Sequence, residues 1–254
     1  MNLALFAGKD IGLETVSFLS RVGQPISCLL LDSKDPAQLS DEIKRCAKAH
    51  RVIYSDALVT SEGKEIFSKL DIDIILLAWW PYLIPESIFT QAKVACLNFH
   101  NSLLPFNRGK HPNFWSIVEQ VEYGVSIHHV TRGIDDGGIA FQTRIPITWE
   151  DSGKTLYEKG KRAIVDLFKE HFEEIRSLKI PRIPQDLKRG SFHLSSELEN
   201  ASRIDLEKSY TARDLLNLLR ARTFPPYPAA WFLDDGQTYE VRVEISKKKI
   251  GSDS

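Results

Sequence analysis

Two polar residues close an apolar run at Asn98 and His100, within the segment CLNFHNSLLPFNRGKHPNFW. Side chains alternate faces along a strand, so an asparagine and a histidine two positions apart point the same way. A carboxamide donates hydrogen bonds to an oxygen that gains charge, and an imidazole can also move a proton. A second group lies downstream, in Gly133-Ile134-Asp135-Asp136-Gly137-Gly138. Glycines around paired carboxylates let the backbone turn sharply and bring a carboxylate close to a ligand. Beside an imidazole, that carboxylate would fix the ring's orientation and stabilise its protonated form. The plainer readings are a strand end whose polar groups tie down the next loop, and a solvated Asp/Gly turn. Asn98 or His100 singly, and the Asp/Gly turn by itself, each fit the plain reading. The Asn98 and His100 pair, followed by a polar loop marked by proline and glycine, points to a site.

The elements that would position these groups alternate along the chain. Residues 2 to 7 (NLALFA) form a short apolar run stopped by Gly8, Ile11 to Leu19 reads as a helix, and Ile26 to Leu31 as a second apolar strand. Residues 36 to 49 have helical polarity, Ile72 to Ala78 form a third buried run, and Val94 to Phe99 a fourth. Continuous apolar runs suit strands covered on both faces by helices. Strands alternating with helices imply βαβ units and a mainly parallel, twisted sheet. The expectation is an α/β, Rossmann-like fold. Ligands bind such open sheets at the carboxyl ends of the strands, where Asn98 and His100 fall.

From Gly124 the pattern gives a strand (VSIHHV), the glycine-rich turn, a strand (IAFQTRIPI) and a long helix. That helix buries a face through Leu156, Gly160, Ala163, Ile164, Leu167, Phe168, Phe172 and Ile175. Pro181 and Pro184 mark a linker. Beyond it, Thr211 to Arg220 reads as helical, FPPYP as extended, and AAWFLDDGQTYEVRVEI as a hairpin turning at Asp235-Gly236. Tyr239, Val241, Val243 and Ile245 then alternate with Glu240, Arg242 and Glu244, as in a half-exposed strand. The expected division is a main domain over 1–180, a linker over 181–190, a small C-terminal helix-plus-hairpin subdomain over 191–246, and a flexible tail over 247–254.

Composition excludes several classes. The 254 residues are 43% hydrophobic and 26% charged, enough for a core and inconsistent with a disordered chain. Lys plus Arg (33) against Asp plus Glu (34) leaves a net charge of −1, which argues against a nucleic-acid binder. Cys28, Cys46 and Cys96 form no CxxC pair and read as reduced thiols of a cytoplasmic protein. No apolar run approaches a membrane span, and MNLALFAGKD reads as a first strand, not a signal peptide. No metal-ligand spacing is present. His50, His128, His129, His171 and His193 read as surface or packing residues. Residues 8 to 12, GKDIG, do not form the GxGxxG fingerprint. Lys9, beside a helix start, reads either as a solvated lysine or as a contact to a diphosphate.

Together these pieces resemble the folate-dependent formyltransferase family. The resemblance runs from ALFAGKDIG through LLAWWPYLIP and LNFHNSLLPFNRG to GVSIHHVTRGIDDGGIAFQ, about residues 1 to 180. Its specific part is the Asn-x-His pair with an SLLPxxRG loop and a downstream Ile-Asp-x-Gly turn. The resemblance implies a catalytic trio of Asn98, His100 and Asp135, with Asp136 as the fallback for Asp135. It also implies that the pterin of N10-formyltetrahydrofolate lies along Trp80, Tyr82, Leu83 and Ile84, near Asp135. The alternative for Trp79-Trp80-Pro81-Tyr82 is a wall of core aromatics, and the two are compatible. Asn101 departs from the pattern where many members have proline, and the stretch between Arg108-Gly109 and Gly124 is one residue short.

Within the family, the short extension, the balanced charge, HPNFW and FPPYPAAWF are similar to the nucleotide-linked sugar N-formyltransferases. That likeness implies formyl transfer to an amino-deoxysugar carried on dTDP, or less often GDP, for surface polysaccharide such as lipopolysaccharide O-antigen. The sugar's neutral amine would attack the formyl carbon, with Asn98 and His100 stabilising the oxygen and Asp135 orienting His100. It further implies a homodimer with the hairpin as a contact. Candidate substrate residues are Lys9, Arg108, His111, Asn113, Trp115, Phe224 and Tyr227. Trp115 divides between core packing and the sugar, and Phe224 and Tyr227 between stacking on a base and fixing the tail. The rival readings are a formyltransferase for another amine, such as methionyl-tRNA, and a catalytically silent domain that binds a nucleotide sugar or folate.

Overall fold

A computed structural model describes residues 1–34, 39–47, 51–56, 58 and 60–248. His50, parts of the 36–49 segment and the tail from 249 lie outside the described residues. In chain order the first elements are β1 (Leu3–Ala7), α1 (Lys9–Arg21), β2 (Cys28–Leu31), α2 (Ser40–Ala47), β3 (Val52–Tyr54) and α3 (Ser61–Ser68). They continue with β4 (Ile74–Ala78), α4 (Glu86–Phe89), β5 (Ala95–His100), β6 (Arg108–Gly109), α5 (Pro112–Val118), β7 (Tyr123–His129) and β8 (Ile139–Ile145). The last are α6 (Gly153–Glu170), α7 (Phe172–Arg176), β9 (Phe192–His193), α8 (Glu197–Ala201), α9 (Ala212–Arg222), β10 (Ala230–Asp234) and β11 (Gln237–Val241). The chain forms two compact units. The first gathers Met1–His100, Val125–Thr143 and Lys161–Gln185, and the second Asn101–Gly124, Arg144–Gly160 and Asp186–Ser254.

The first unit is built on a seven-stranded sheet in the order β3-β2-β1-β4-β5-β7-β8. Neighbours from β3 to β5 pair in parallel, and β5 pairs with β7 antiparallel. Every residue of β1, β2 and β4 is buried, as their unbroken apolar sequences require. One core cluster joins Phe6, Leu30, Phe67, Ile75, Leu77 and Cys96. Each such apolar side chain contributes about 1.5–3 kcal/mol on burial. α1 closes over the sheet with Ile11, Val16 and Leu19, spaced along one helical face. Strand order reverses between β1 and β4, the place where open sheets leave a crevice at the carboxyl ends. There the Gly8 N–H donates to the Ala78 carbonyl (3.0 Å), and a Cβ at Gly8 would overlap the Trp79 carbonyl. Only glycine permits that approach.

The sheet holds one strand beyond the apolar runs of the sequence. β3 is three residues long and only Ile53 in it is buried, so its signal is too short to register. The long helix also differs, because it ends at Glu170 and α7 restarts after His171, whose ring stacks on Phe141.

The second unit has its own core, in which Phe114 and Ile117 meet Tyr123, Leu156, Leu218 and Leu219. Thr211 caps α9 by accepting from the Asp214 N–H (3.1 Å). β10 and β11 pair from Ala230↔Val241 to Asp234↔Gln237. Asp235 (φ 43°) and Gly236 (φ 71°) are both left-handed, as a two-residue hairpin turn requires. The expected strand through Ile245 stops at Val241, because its partner Ala230 is the first residue of β10. The Val243 N–H instead donates to Thr223 Oγ1 (3.2 Å).

Among the described residues no helix is long and apolar enough to cross a membrane, and no cluster of ligating side chains could hold a metal ion. All three cysteines are free thiols; burial pushes Cys28 up to about 12 and raises Cys96 as well.

Candidate active site

β5 ends in Asn98 and His100, and its antiparallel register with β7 sets Asn98 opposite His128 and His100 opposite Ser126. Cross-strand partners share a face, so four polar side chains, Asn98, His100, Ser126 and His128, line one side of the strand pair. The turn between β7 and β8 brings a carboxylate to them. Asp135 Oδ2 lies 3.5 Å from His100 Nδ1, and Asp135 Oδ1 lies 3.3 Å from His128 Nε2. The Asn98 carboxamide donates toward Asp135 Oδ1 at 3.4 Å. His100 is 7% exposed and His128 2%.

The second ring nitrogen of His128 settles its tautomer. Nδ1 lies 3.0 Å from the His129 carbonyl, which only accepts, so Nδ1 carries the proton. In the neutral ring Nε2 then accepts from Asn98 Nδ2 at 3.1 Å, which fixes the asparagine's orientation. Asn98 thus presents an amide, and His100 an imidazole, beside a shared carboxylate. The contacts of Asn98 (3.4 Å) and His100 (3.5 Å) to Asp135 are long for hydrogen bonds, a common state of catalytic groups before substrate tightens them. The arrangement can donate to a developing oxyanion and hold or pass a proton.

The two adjacent aspartates part company. Asp136 turns into its own loop, where its carboxylate accepts from Thr131 Oγ1 and lies against Gly133. Asp135 takes a left-handed backbone (φ 51°) that swings its carboxylate toward the imidazoles. A Cβ at Gly137 would overlap the His129 carbonyl, so the loop can fold back only on a glycine.

The segment after β4 stands at the carboxyl side of the same sheet. Trp79 is left-handed (φ 63°), Trp80 meets Phe6 and Tyr82 edge-on, and Ile84 packs on the core cluster. Tyr82 donates to Asp32 Oδ1 (3.0 Å), a bond that raises the phenol's pKa. Leu83 is 79% exposed. Lys9 is exposed and left-handed (φ 52°) at the start of α1.

The remaining sequence candidates lie in the second unit. The Arg108 guanidinium sits over the Phe192 ring. His111 precedes α5 with φ 59°, and burial together with Arg222 and Lys110 pushes its imidazole below the usual range. The Asn113 carboxamide is committed to the Gly153 carbonyl (2.9 Å). Trp115 stacks on His193 at 3.8 Å, and His193 is flanked by Glu119 (2.8 Å) and Glu197 (3.0 Å). Phe224 lies between Tyr157 (5.3 Å) and Tyr227 (5.2 Å), and Tyr227 is 58% exposed. Asn101 is buried, and its side chain occupies the space against Gly160.

The structure therefore gathers Asn98, His100 and Asp135 in the first unit and adds His128, which in the sequence alone reads as a surface or packing residue. A signal for it lies in the alternation of Ser126 and His128 with the apolar Val125 and Ile127. Its partner could not be named without the β5–β7 register.

Known proteins agree with this architecture. Residues 29–170 match the family model described as formyl transferase, and residues 197–247 match the N-formyltransferase dimerization C-terminal domain. A dTDP-4-amino-4,6-dideoxyglucose formyltransferase of Mycobacterium tuberculosis is 33% identical over 161 residues, covering 61% of this chain and 67% of the relative. A sugar N-formyltransferase from Shewanella superposes with a TM-score of 0.82 at 21% identity, covering 98% of this chain and 99% of the other. A formyltransferase from Anoxybacillus kamchatkensis, solved with UDP-4,6-dideoxy-4-formamido-L-AltNAc and tetrahydrofolate, is 31% identical with a TM-score of 0.54, over 68% of this chain and 88% of its own. The family match spans more than half of the 254 residues and contains Asn98, His100 and Asp135, and this chain belongs to the formyl transferase family.

Proposed function

We propose that the protein transfers a formyl group from N10-formyltetrahydrofolate to the amine of a dTDP-linked amino-deoxysugar, with a 4-amino sugar as first choice. The observation that carries the reading is the convergence of Asn98, His100 and His128 on the Asp135 carboxylate. Asn98 Nδ2 turns the hydrogen of its long 3.4 Å contact with Asp135 to the oxygen on which charge gathers, while the other stays on His128. His100 passes the proton released by the attacking amine to the N10 nitrogen of the folate, whose bond to the formyl carbon breaks, and Asp135 keeps the ring oriented. The residues after β4 suit a flat heterocycle, since Trp80 and Tyr82 form an aromatic wall and Leu83 leaves an apolar side chain in solvent. Trp80, Tyr82, Leu83 and Ile84 would hold the folate, which supplies the formyl group. The mycobacterial relative supports dTDP and the 4-amino position, and the Anoxybacillus structure supports folate. The match over 197–247 supports a homodimer, and a role in surface polysaccharide follows from the same class of substrate.

The test is incubation with N10-formyltetrahydrofolate and a panel of dTDP-, GDP- and UDP-linked amino sugars and methionyl-tRNA, read by mass spectrometry. The reading expects a formylated dTDP-4-amino sugar. Product from methionyl-tRNA alone would overturn the sugar, and product from none would favour a silent binding domain.

A further inference from the structure

The Asp135 turn needs outside support. Its backbone sits in the left-handed region, which costs a non-glycine residue roughly 1 kcal/mol and persists only where neighbours enforce it. The support comes from a stretch that the sequence marks only as a proline-flanked linker. Gln185 Nε2 donates to the Asp135 carbonyl (2.9 Å) and to the Gly137 carbonyl (2.6 Å), one amide hydrogen for each. These two carbonyls flank Asp136, so a single carboxamide clips the back of the turn. Its orientation is forced, because a reversed amide would set Oε1 against two carbonyls. Oε1 is accordingly buried away from any hydrogen-bond partner among the described residues.

Gln185 is itself well anchored. Two residues earlier, Ile183 exchanges both backbone hydrogen bonds with Ile139 at the start of β8 (2.8 and 2.9 Å). His129 Nε2 lies 2.8 Å from the Pro181 carbonyl, and burial lowers that imidazole's pKa, so the neutral ring donates. The clip is therefore tied to both strands that the turn connects.

We propose that Gln185 is a positioning residue, whose carboxamide holds the Asp135 turn so that the carboxylate faces His100 and His128. The inference rests on the reading of Asp135 as catalytic. Gln185→Met keeps the length of the side chain and removes both donors. Steady-state kinetics should show kcat lowered about tenfold, with both KM values within about twofold and a melting temperature lowered by only a few degrees, the scale of two lost hydrogen bonds. In the Asp135→Asn background the same change should cost nothing further, since Gln185 acts only through Asp135. Where Gln185→Met does not fold, Gln185→Asn, one methylene short of both carbonyls, carries the same expectations. An unchanged kcat overturns the proposal, as does a loss that appears equally in KM and melting temperature. Full activity in Asp135→Asn would instead overturn the underlying reading, which separates the two failures.

Discussion

Two carboxylates, the buried Asp151 of the second unit and the partly buried Asp135 of the first, are held in different ways. Asp151, 3% exposed, accepts from the Thr148 N–H (2.8 Å), Thr148 Oγ1 (3.1 Å) and Thr155 Oγ1 (3.1 Å), and pairs with Lys159 at 2.7 Å. Its own carbonyl takes Arg220 Nη1 at 3.0 Å. Burial works to raise its pKa, but Lys159 and the Thr148 donors prevail, and it lies below the ordinary value. Asp135 faces two imidazoles and a carboxamide at 3.3–3.5 Å. A carboxylate whose lone pairs are filled by close, fixed donors serves as a fastener, here at the start of α6. One that meets imidazoles and a carboxamide at 3.3–3.5 Å is placed to exchange partners during a reaction.

The sharpest way to break the contrast is at the imidazole. His100→Ala should lower kcat by about 10²-fold or more, and Asn98→Ala similarly, with melting temperature nearly unchanged. A folded His100→Ala protein with near-normal turnover would remove the ring from the chemistry. Asp151→Ala should do the reverse, costing about 3 kcal/mol of stability while the folded fraction keeps its kcat. Denaturant melts and single-temperature kinetics on the same sample separate the two, and parent-like stability in Asp151→Ala would dissolve the comparison.

Acid sharpens it further. A depressed folded pKa makes the Asp151 contribution complete above the unfolded value of about 3.9 and progressively lost as pH falls through the folded value. The stability gap between parent and Asp151→Asn should therefore close in acid, and a gap that stays constant would contradict the assignment. The smallest effect is expected at Tyr227. Tyr227→Ala should weaken nucleotide-sugar binding about tenfold by loss of stacking, leaving folate binding and melting temperature alone. Calorimetric titration of both ligands checks it, and unchanged affinities with a lower melting temperature would make the ring structural.

What is legible in the sequence follows the range of the interactions. Asn98 and His100 are visible because a two-residue spacing is a local property of a strand. The Asp135-Asp136 turn is visible because glycines must surround a turn that folds so tightly, and the choice of Asp135 over Asp136 comes from the family resemblance. β3 escapes because three residues with one buried side chain carry almost no pattern. His128 and Gln185 escape for another reason. Their partners lie 30 and 50 residues away, joined by the β5–β7 register in one case and the Ile139–Ile183 bridge in the other. Asp151 looks like any solvated acid in WEDSGK until Lys159 and Arg220 are brought to it by helices.

The most direct test sets the neighbouring aspartates against each other. Asp135→Asn and Asp136→Asn change one charge each on adjacent residues, so kcat measured at saturating donor and acceptor isolates the role of the carboxylate. The geometry predicts a loss of about 10²-fold or more for Asp135→Asn and less than about tenfold for Asp136→Asn, whose carboxylate serves its own loop. An active Asp135→Asn protein beside an inactive Asp136→Asn protein would contradict the account.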